Sequence, residues 1–434
     1  FAQFGVKDDN GLFGTAAVST VWRGTRRTVD VLFGNIRNRN ELPDDAFVAR
    51  AGTWRMVLDY PFDESGHTPQ DDHIRLDSLA ADLATTTVAW VPQFLTSERS
   101  DDLGVLVRLE YLLAGVGNHF DDHAAHLPPE QRPIAREYLV NRRNALRTQL
   151  GEVLKQAYGV ARVNPADIDD FGDVDPLMSL QPGFTPQPPV GATLGQAMTN
   201  VIYQMFDHQY PEHPRFDPTD AEVTARMLAV AAEHVVLAAE RGGRVDPVDP
   251  AKRASLRRVV NPLRCGAAFE NHYVCDASTF VWGNEFARLA ARDGLGGQVP
   301  VTAIRGWLAP YGLTTAVANL LIYAWAVLED KEFALHGTVA RVERLDNIRD
   351  EYVLRDPVLP EAGVWEVAHA RAASVFGESV SGALKAANVH RLAVGVRDRA
   401  KALTGDVETL VGQLQERQEV LGLGGAGAGG GVGG

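Results

Sequence analysis

Two short apolar runs, "RMVLDYP" and "TTTVAWVPQFL", flank "TPQDDHIRLDSLAADLA", in which Ile74, Leu76, Leu79 and Leu83 keep a helical spacing. Strand, helix and strand in that order make a β-α-β unit. Just before it, "STVWRGTRRTVDVLFGNIR" places two β-rich runs around "RGTR", a hairpin pattern. Residues 1–100 therefore read as an α/β segment with a β-hairpin. From about residue 100 the apolar period becomes helical. The expected fold class is α+β, mainly α: an N-terminal α/β segment followed by helical domains that include a winged-helix-like unit.

The helical part divides by its punctuation. "SDDLGVLVRLEYLLAG" and "PPEQRPIAREYLVNRRNALRTQLGEVLKQAYG" have helix starts and glycine stops, giving a helical segment over 101–160. Residues 161–190, rich in Pro, Asp and Gly, read as a linker or long ordered loop, and 191–298 as a helical domain. "PVTAIRGWLAPYGLTTAVANLLIYAWAVLEDKEFALHG" runs helix, Pro-Tyr-Gly turn, helix, and "YVLRDP" follows as a strand. This order makes 299–356 a winged-helix-like unit, though the apolar second helix has nothing with which to read a base edge. Residues 357–423 form a C-terminal helical segment. Within it Leu403, Val407, Leu410 and Leu414 make an amphipathic stripe that packs on a partner. Residues 424–434 are a Gly-rich tail.

The strand "MVL" ends in Asp59. An aspartate closing a buried strand is how P-loop ATPases hold the Mg²⁺ of a nucleotide, which makes Asp59 a candidate cofactor-binding residue. The phosphate loop G-x-x-x-x-G-K-[ST] is absent, and none of Lys7, Lys155, Lys252, Lys331, Lys385 and Lys401 follows a glycine-rich turn. A turn-forming aspartate that caps backbone amides is the plainer reading of Asp59.

Three other constellations could carry chemistry. His119, His123 and His126, spaced i, i+4, i+7 beside Asp121 and Asp122, are candidate metal ligands, and a metal-dependent enzyme is one alternative function. The segment lacks the Glu of H-E-x-x-H, so histidines at a helix junction are the plainer reading. Cys265, His272 and Cys275 could offer three ligands, but no second pair completes a tetrahedral set, and two buried thiols fit better. Arg253, Arg257 and Arg258 in "AKRASLRRVVNPLRC" are candidate nucleic-acid contacts, with a solvated helix face as the alternative. A self-contained DNA-binding module is the other alternative function.

The formal net charge of −14 argues against a surface that wraps nucleic acid throughout. Two cysteines make no disulfide framework, so a reducing compartment, the cytoplasm, is expected. No apolar run is long enough to span a bilayer, so no membrane is expected among the partners. Arginine far outnumbers lysine, as in high-GC bacterial proteins, and an opening "FAQFGVKDDNG" without Met reads as cut from a longer polypeptide.

"TVWRGTRRTVDVLFGNIRNRNELPDD", "WRMVLDYPFDESGHTPQDD", "VAWVPQFLTSERSDDLGVLVRLEYLLAG", "HFDDHAAHLP" and "GATLGQAMTNVIYQMFDHQYPEHPRF" together resemble one family. It is the PglY/BrxC family of large P-loop ATPases from bacteriophage-exclusion and phage-growth-limitation defence. The resemblance runs over nearly the whole chain. It implies a regulatory or scaffolding region of an anti-phage ATPase, working with other defence-system proteins and with DNA as a further partner. It also implies ATP and Mg²⁺ for the parent protein, an ATP hydrolase, with no cofactor expected in this chain. With no Walker A loop here, the nucleotide site carries over onto no position. The chain looks like an internal or C-terminal part of such an ATPase.

Overall fold

Arg23 and Gly24 both have positive φ, 46° and 80°, the geometry that lets two residues reverse a twisted antiparallel pair. A side chain at Gly24 would sit 2.7 Å from the Phe216 side chain, so the turn needs glycine twice over. In this computed structural model, which describes residues 15–114, 119–172, 174–216, 221–276 and 278–417, the turn joins β1 (Thr15–Trp22) to β2 (Thr25–Phe33). The chain divides into two compact units, Phe1–Glu222 and Val223–Gly434. The Gly-rich tail expected at 424–434 lies outside the described residues, as does the opening "FAQFGVKDDNG".

In the first unit β3 (Trp54–Leu58) runs parallel to β2, and α1 (Pro69–Asp82) crosses over to β4 (Thr87–Trp90), parallel to β3. Next come α2 (Ser97–Leu113), α3 (His119–His123) and α4 (Arg132–Ala157). Then β5 (Leu177–Ser179) pairs antiparallel with β4, and α5 (Leu194–Gln209) follows. The sheet order is β1-β2-β3-β4-β5. Residues 161–190, expected as linker or long loop, thus supply an edge strand. Its three residues are too few to show a period, and the surrounding prolines mask it.

Both faces of the sheet are covered, which is why its central strands read as continuous apolar runs. Trp54, Met56, Leu58, Val88 and Trp90 meet Val201, Ile202 and Met205 of α5 and Val153 and Ala157 of α4. Val57, Ala89 and Val91 meet Leu76 and Leu79 of α1, with Ile36 and Phe47. Each tryptophan of this core finds a partner for its indole N–H: Trp22 donates to Asp207 (2.9 Å), Trp54 to Gln209 (2.7 Å) and Trp90 to the Tyr158 carbonyl (3.0 Å). Ile74 does not join this core. It is 67% exposed, while Asp72 and Arg75 occupy buried positions on the same helix.

The second unit opens with α6 (Ala225–Glu240), β6 (Arg244–Val245), α7 (Pro250–Leu263), β7 (Ala267–Ala268), β8 (Tyr273–Val274) and α8 (Val281–Arg292). The three short strands form a sheet of order β6-β8-β7. Residues 191–298 are therefore not one helical domain: α5 buries its apolar face in the first unit's core, and the rest lies beyond Glu222.

There follow β9 (Gln298–Pro300), α9 (Val301–Leu308), α10 (Thr315–Leu328), β10 (Glu332–Leu335), β11 (Thr338–Val339) and β12 (Val353–Arg355). The sheet order here is β11-β10-β12-β9, all antiparallel. Helix α10 is a core helix, with Leu320, Leu321, Ile322 and Trp325 buried. The chain closes with α11 (Ala362–Phe376) and α12 (Ala386–Glu416), joined by a small core of Trp365, Ala372 and Leu392. The whole is α+β and mainly α. Among the described residues no helix is long and apolar enough to cross a membrane.

Candidate functional site at the carboxyl end of the parallel strands

Ligands of open α/β sheets gather at the carboxyl ends of parallel strands, so the ends of β2, β3 and β4 are the place to look. Backbone bonds tie them together: Gly34 N–H donates to the Leu58 carbonyl and Asp59 N–H to that of Trp90, both at 3.0 Å. Asp59, 3% exposed, accepts from the amides of Ile36 (3.1 Å) and Tyr60 (2.7 Å). Its carboxylate thereby holds the loop after β2 against the end of β3. The Tyr158 hydroxyl, fully buried at the end of α4, donates to the Asp59 carbonyl.

The sequence reading missed Asp59's partner. Asp72, 2% exposed in the first turns of α1, hydrogen-bonds it side chain to side chain. Burial, then the charge of Asp72, pushes the Asp59 carboxyl well above the usual range. Burial likewise raises Asp72, to about 6. Two carboxylates in contact and out of water cannot both ionise cheaply, so the protonated form of the pair is favoured. The signal for Asp72 was the "DD" after Thr68-Pro69. Asp71 closes a capping box with Thr68, which turns its neighbour Asp72 inward.

Around the pair, polar groups are matched among themselves. Asp63 accepts from Arg37 (2.6 Å) and Asn35 (2.7 Å). Burial works to raise its carboxyl, but the Arg37 bond and the Glu64 amide outweigh it and hold it below the ordinary value. Tyr60 stacks on Phe62 and donates to Glu41 at 2.7 Å. Arg75 donates to the Ile36 and Leu42 carbonyls and to Asp44. The chemistry of this donor set is that of a loop clamp: each carboxylate already has a partner from its own chain.

The other candidates lie elsewhere. Helix α3 ends at His123, so His126 falls in the following turn and the three histidines share no continuous helical face. His119 stacks on Tyr111, ring centroids 4.2 Å apart. Among the described residues no group of three or more His, Cys, Asp or Glu is placed to hold a metal ion. Cys265 and Cys275 are free and buried, while His272 stacks on Phe269. On α7, Arg257 is exposed, Arg253 turns back to the Val248 carbonyl (2.9 Å) and Arg258 is half-buried on another flank. The structure does not gather the three arginines on one open face.

Among the described residues the α12 stripe is one of the apolar surfaces left open. Leu392 is covered by α11, but further along the same helix Val407 and Leu410 are each 54% exposed, with Leu403, Val411 and Leu414 beside them.

Fold and site together define an α+β chain whose strand-end acid serves its own loop, with an uncovered helix face at the far end of its second unit. Residues 1–210 match the sequence model of the PglY fourth domain. Residues 226–326 match that of the BREX System ATPase PglY protein 5th domain, and 369–430 that of its 6th domain. The chain belongs to the PglY family of BREX system ATPases. The gap between the first two matches contains the boundary at Glu222 that divides the two units. No solved structure matches the chain.

Proposed function

We propose that this chain is a regulatory and scaffolding region of a BREX anti-phage ATPase, acting in the cytoplasm by holding other proteins of the same defence system. The observation that carries this reading is the uncovered apolar stripe of α12. Leu403, Val407, Leu410, Val411 and Leu414 form a face of the kind that elsewhere in the chain is buried against another element. Membership of the BREX family supports a helix of another defence-system protein as its occupant. ATP and Mg²⁺ act in the parent protein under this reading, and no residue here, Asp59 included, is given a nucleotide role. The β9–β12 region serves as a winged-helix-like packing unit, since its α10 is buried rather than offered to a groove.

The competing reading is a DNA contact through Arg253, Arg257 and Arg258, for which the exposed Arg257 is the supporting side chain. The test is direct binding of the purified chain to each purified protein of its own defence system, and to duplex DNA at two salt concentrations. The scaffold reading expects a protein complex that is lost when Leu403 and Leu410 become Asp. DNA binding with a steep salt dependence that vanishes in the triple arginine-to-alanine variant would favour the competing reading instead.

A further inference from the structure

A cleft of about 770 Å³ opens inside the second unit, beside the edge of its four-stranded sheet. Val236, Tyr323, Phe333, Val339 and Val358 line it, together with Arg341. The strand on its rim is β11, which ends the order β11-β10-β12-β9 and so has one free side. His336 and Gly337, with φ of 48° and 81°, make the two-residue turn from β10.

The register fixes what that free side offers. Ala334 faces Val339, and the Ala340 amide donates to the Phe333 carbonyl at 2.8 Å. Antiparallel pairs alternate between bonded and non-bonded, so with Ala340 bonded, Val339 is not, and its N–H and C=O turn to the open edge. Side chains two apart share a face, which puts Val339, 50% exposed, alongside Arg341.

The charges along the cleft leave Arg341 without a carboxylate among the described residues. Glu240 is paired with Arg391 (2.8 Å), Glu332 with Arg355 (2.6 Å) and Lys331 with Asp356 (2.7 Å). Asp330 accepts from the Ala386 amide (3.1 Å) at the start of α12, and Lys385, whose charge acts on Asp330, donates to the Ala239 carbonyl (3.3 Å). Arg341 instead donates to the ring nitrogen Nε2 of His390, and among the described residues no carboxylate pairs with it. An apolar cleft, an open strand edge and an unmatched guanidinium lie within one short stretch.

We propose that this cleft binds an extended segment of a partner protein, added as a strand along β11, with apolar side chains in the cleft and a carboxylate on Arg341. Main-chain bonds to the free edge supply affinity, and the Arg341 pair with the alternate apolar positions supplies choice. The proposal rests on the reading of the chain as a scaffold but uses a surface separate from the exposed α12 stripe. Variants at Arg341 leave Leu403 and Leu410 intact, so the two readings fail independently.

The probe is a fluorescein-labelled peptide, acetyl-Val-Thr-Asp-Thr-Val-Thr-amide, whose Val and Asp side chains share one face, titrated by fluorescence polarisation against the full 434-residue chain. A second peptide carries Lys in place of Asp. The expected result is preference for the Asp peptide by about tenfold, reversed in Arg341→Glu. Val339→Pro, which removes an amide that makes no ladder bond, should weaken binding at unchanged thermal stability. Should that variant unfold, N-methylation of alternate peptide amides gives the same readout on the wild type. No saturation by either peptide at about 1 mM, a preference unmoved by Arg341→Glu, or indifference to N-methylation would each overturn the proposal.

Discussion

Asp59 and Asp72 face each other at the carboxyl end of β3, both almost without contact with water, and burial favours the protonated form of both carboxyls. Because burial raises both carboxyls, the folded state keeps protons that the unfolded chain releases near pH 4. The stability this pair contributes is complete below about pH 4 and falls as the pH rises through the Asp72 value of about 6. A rise of that size corresponds to roughly 3 kcal/mol. Denaturant unfolding of wild type and Asp72→Asn at pH 5 and pH 7.5 should show the variant losing less stability between the two. Parallel curves would mean that the protonated form of the pair is not favoured.

His213 behaves in the opposite sense. It is buried between Trp22 and Phe216, with Nδ1–H donating to the Pro214 carbonyl at 2.7 Å. Burial, then the charge of Arg27, pushes its imidazole down to about 3. Its contribution is present above about pH 6.5 and fades as the pH falls toward 3, because only the unfolded chain takes up the proton. Imidazole ¹⁵N shifts should report a neutral, Nδ1-protonated ring at pH 5. A midpoint near 6 would contradict the geometry.

Leu320→Asp or Trp325→Asp should unfold the second unit. Leu320 is fully buried and Trp325 is 2% exposed on α10, and an unpaired buried charge costs roughly 3–5 kcal/mol. Thermal unfolding monitored by tryptophan fluorescence should move down by many degrees. An unchanged transition would mean that α10 does not carry the core of that unit.

The purified chain should release no phosphate from ATP, with or without DNA. It contains no Walker A loop, and the carboxylate at the end of β3 is committed to the Ile36 and Tyr60 amides. Turnover that disappears in Asp59→Ala would overturn this.

The β-α-β unit, the hairpin and the core character of α10 were legible because each rests on a local period or turn. The acid pair was not. Asp72 looks like a second acidic residue in a helix's first turn, and only the crossing of α1 over β3 brings it to Asp59. Ile74 misled for the same reason: its spacing suits the inner face, but tertiary packing gives that face to Asp72, Arg75, Leu76 and Leu79. Strand β5 escaped because three residues among prolines carry no alternation. The α12 stripe was visible in the sequence, yet only the structure shows that α11 covers one end of the helix and leaves the other bare.

The scaffold reading stands or falls on that bare face. Isothermal titration of the purified chain against each of the other proteins of its defence system should find a binder. The Leu403→Asp/Leu410→Asp variant should bind about a hundredfold more weakly at unchanged thermal stability, since both side chains are already exposed in the free chain. A wild-type chain that binds none of these proteins, or a variant that binds as tightly as wild type, would contradict it.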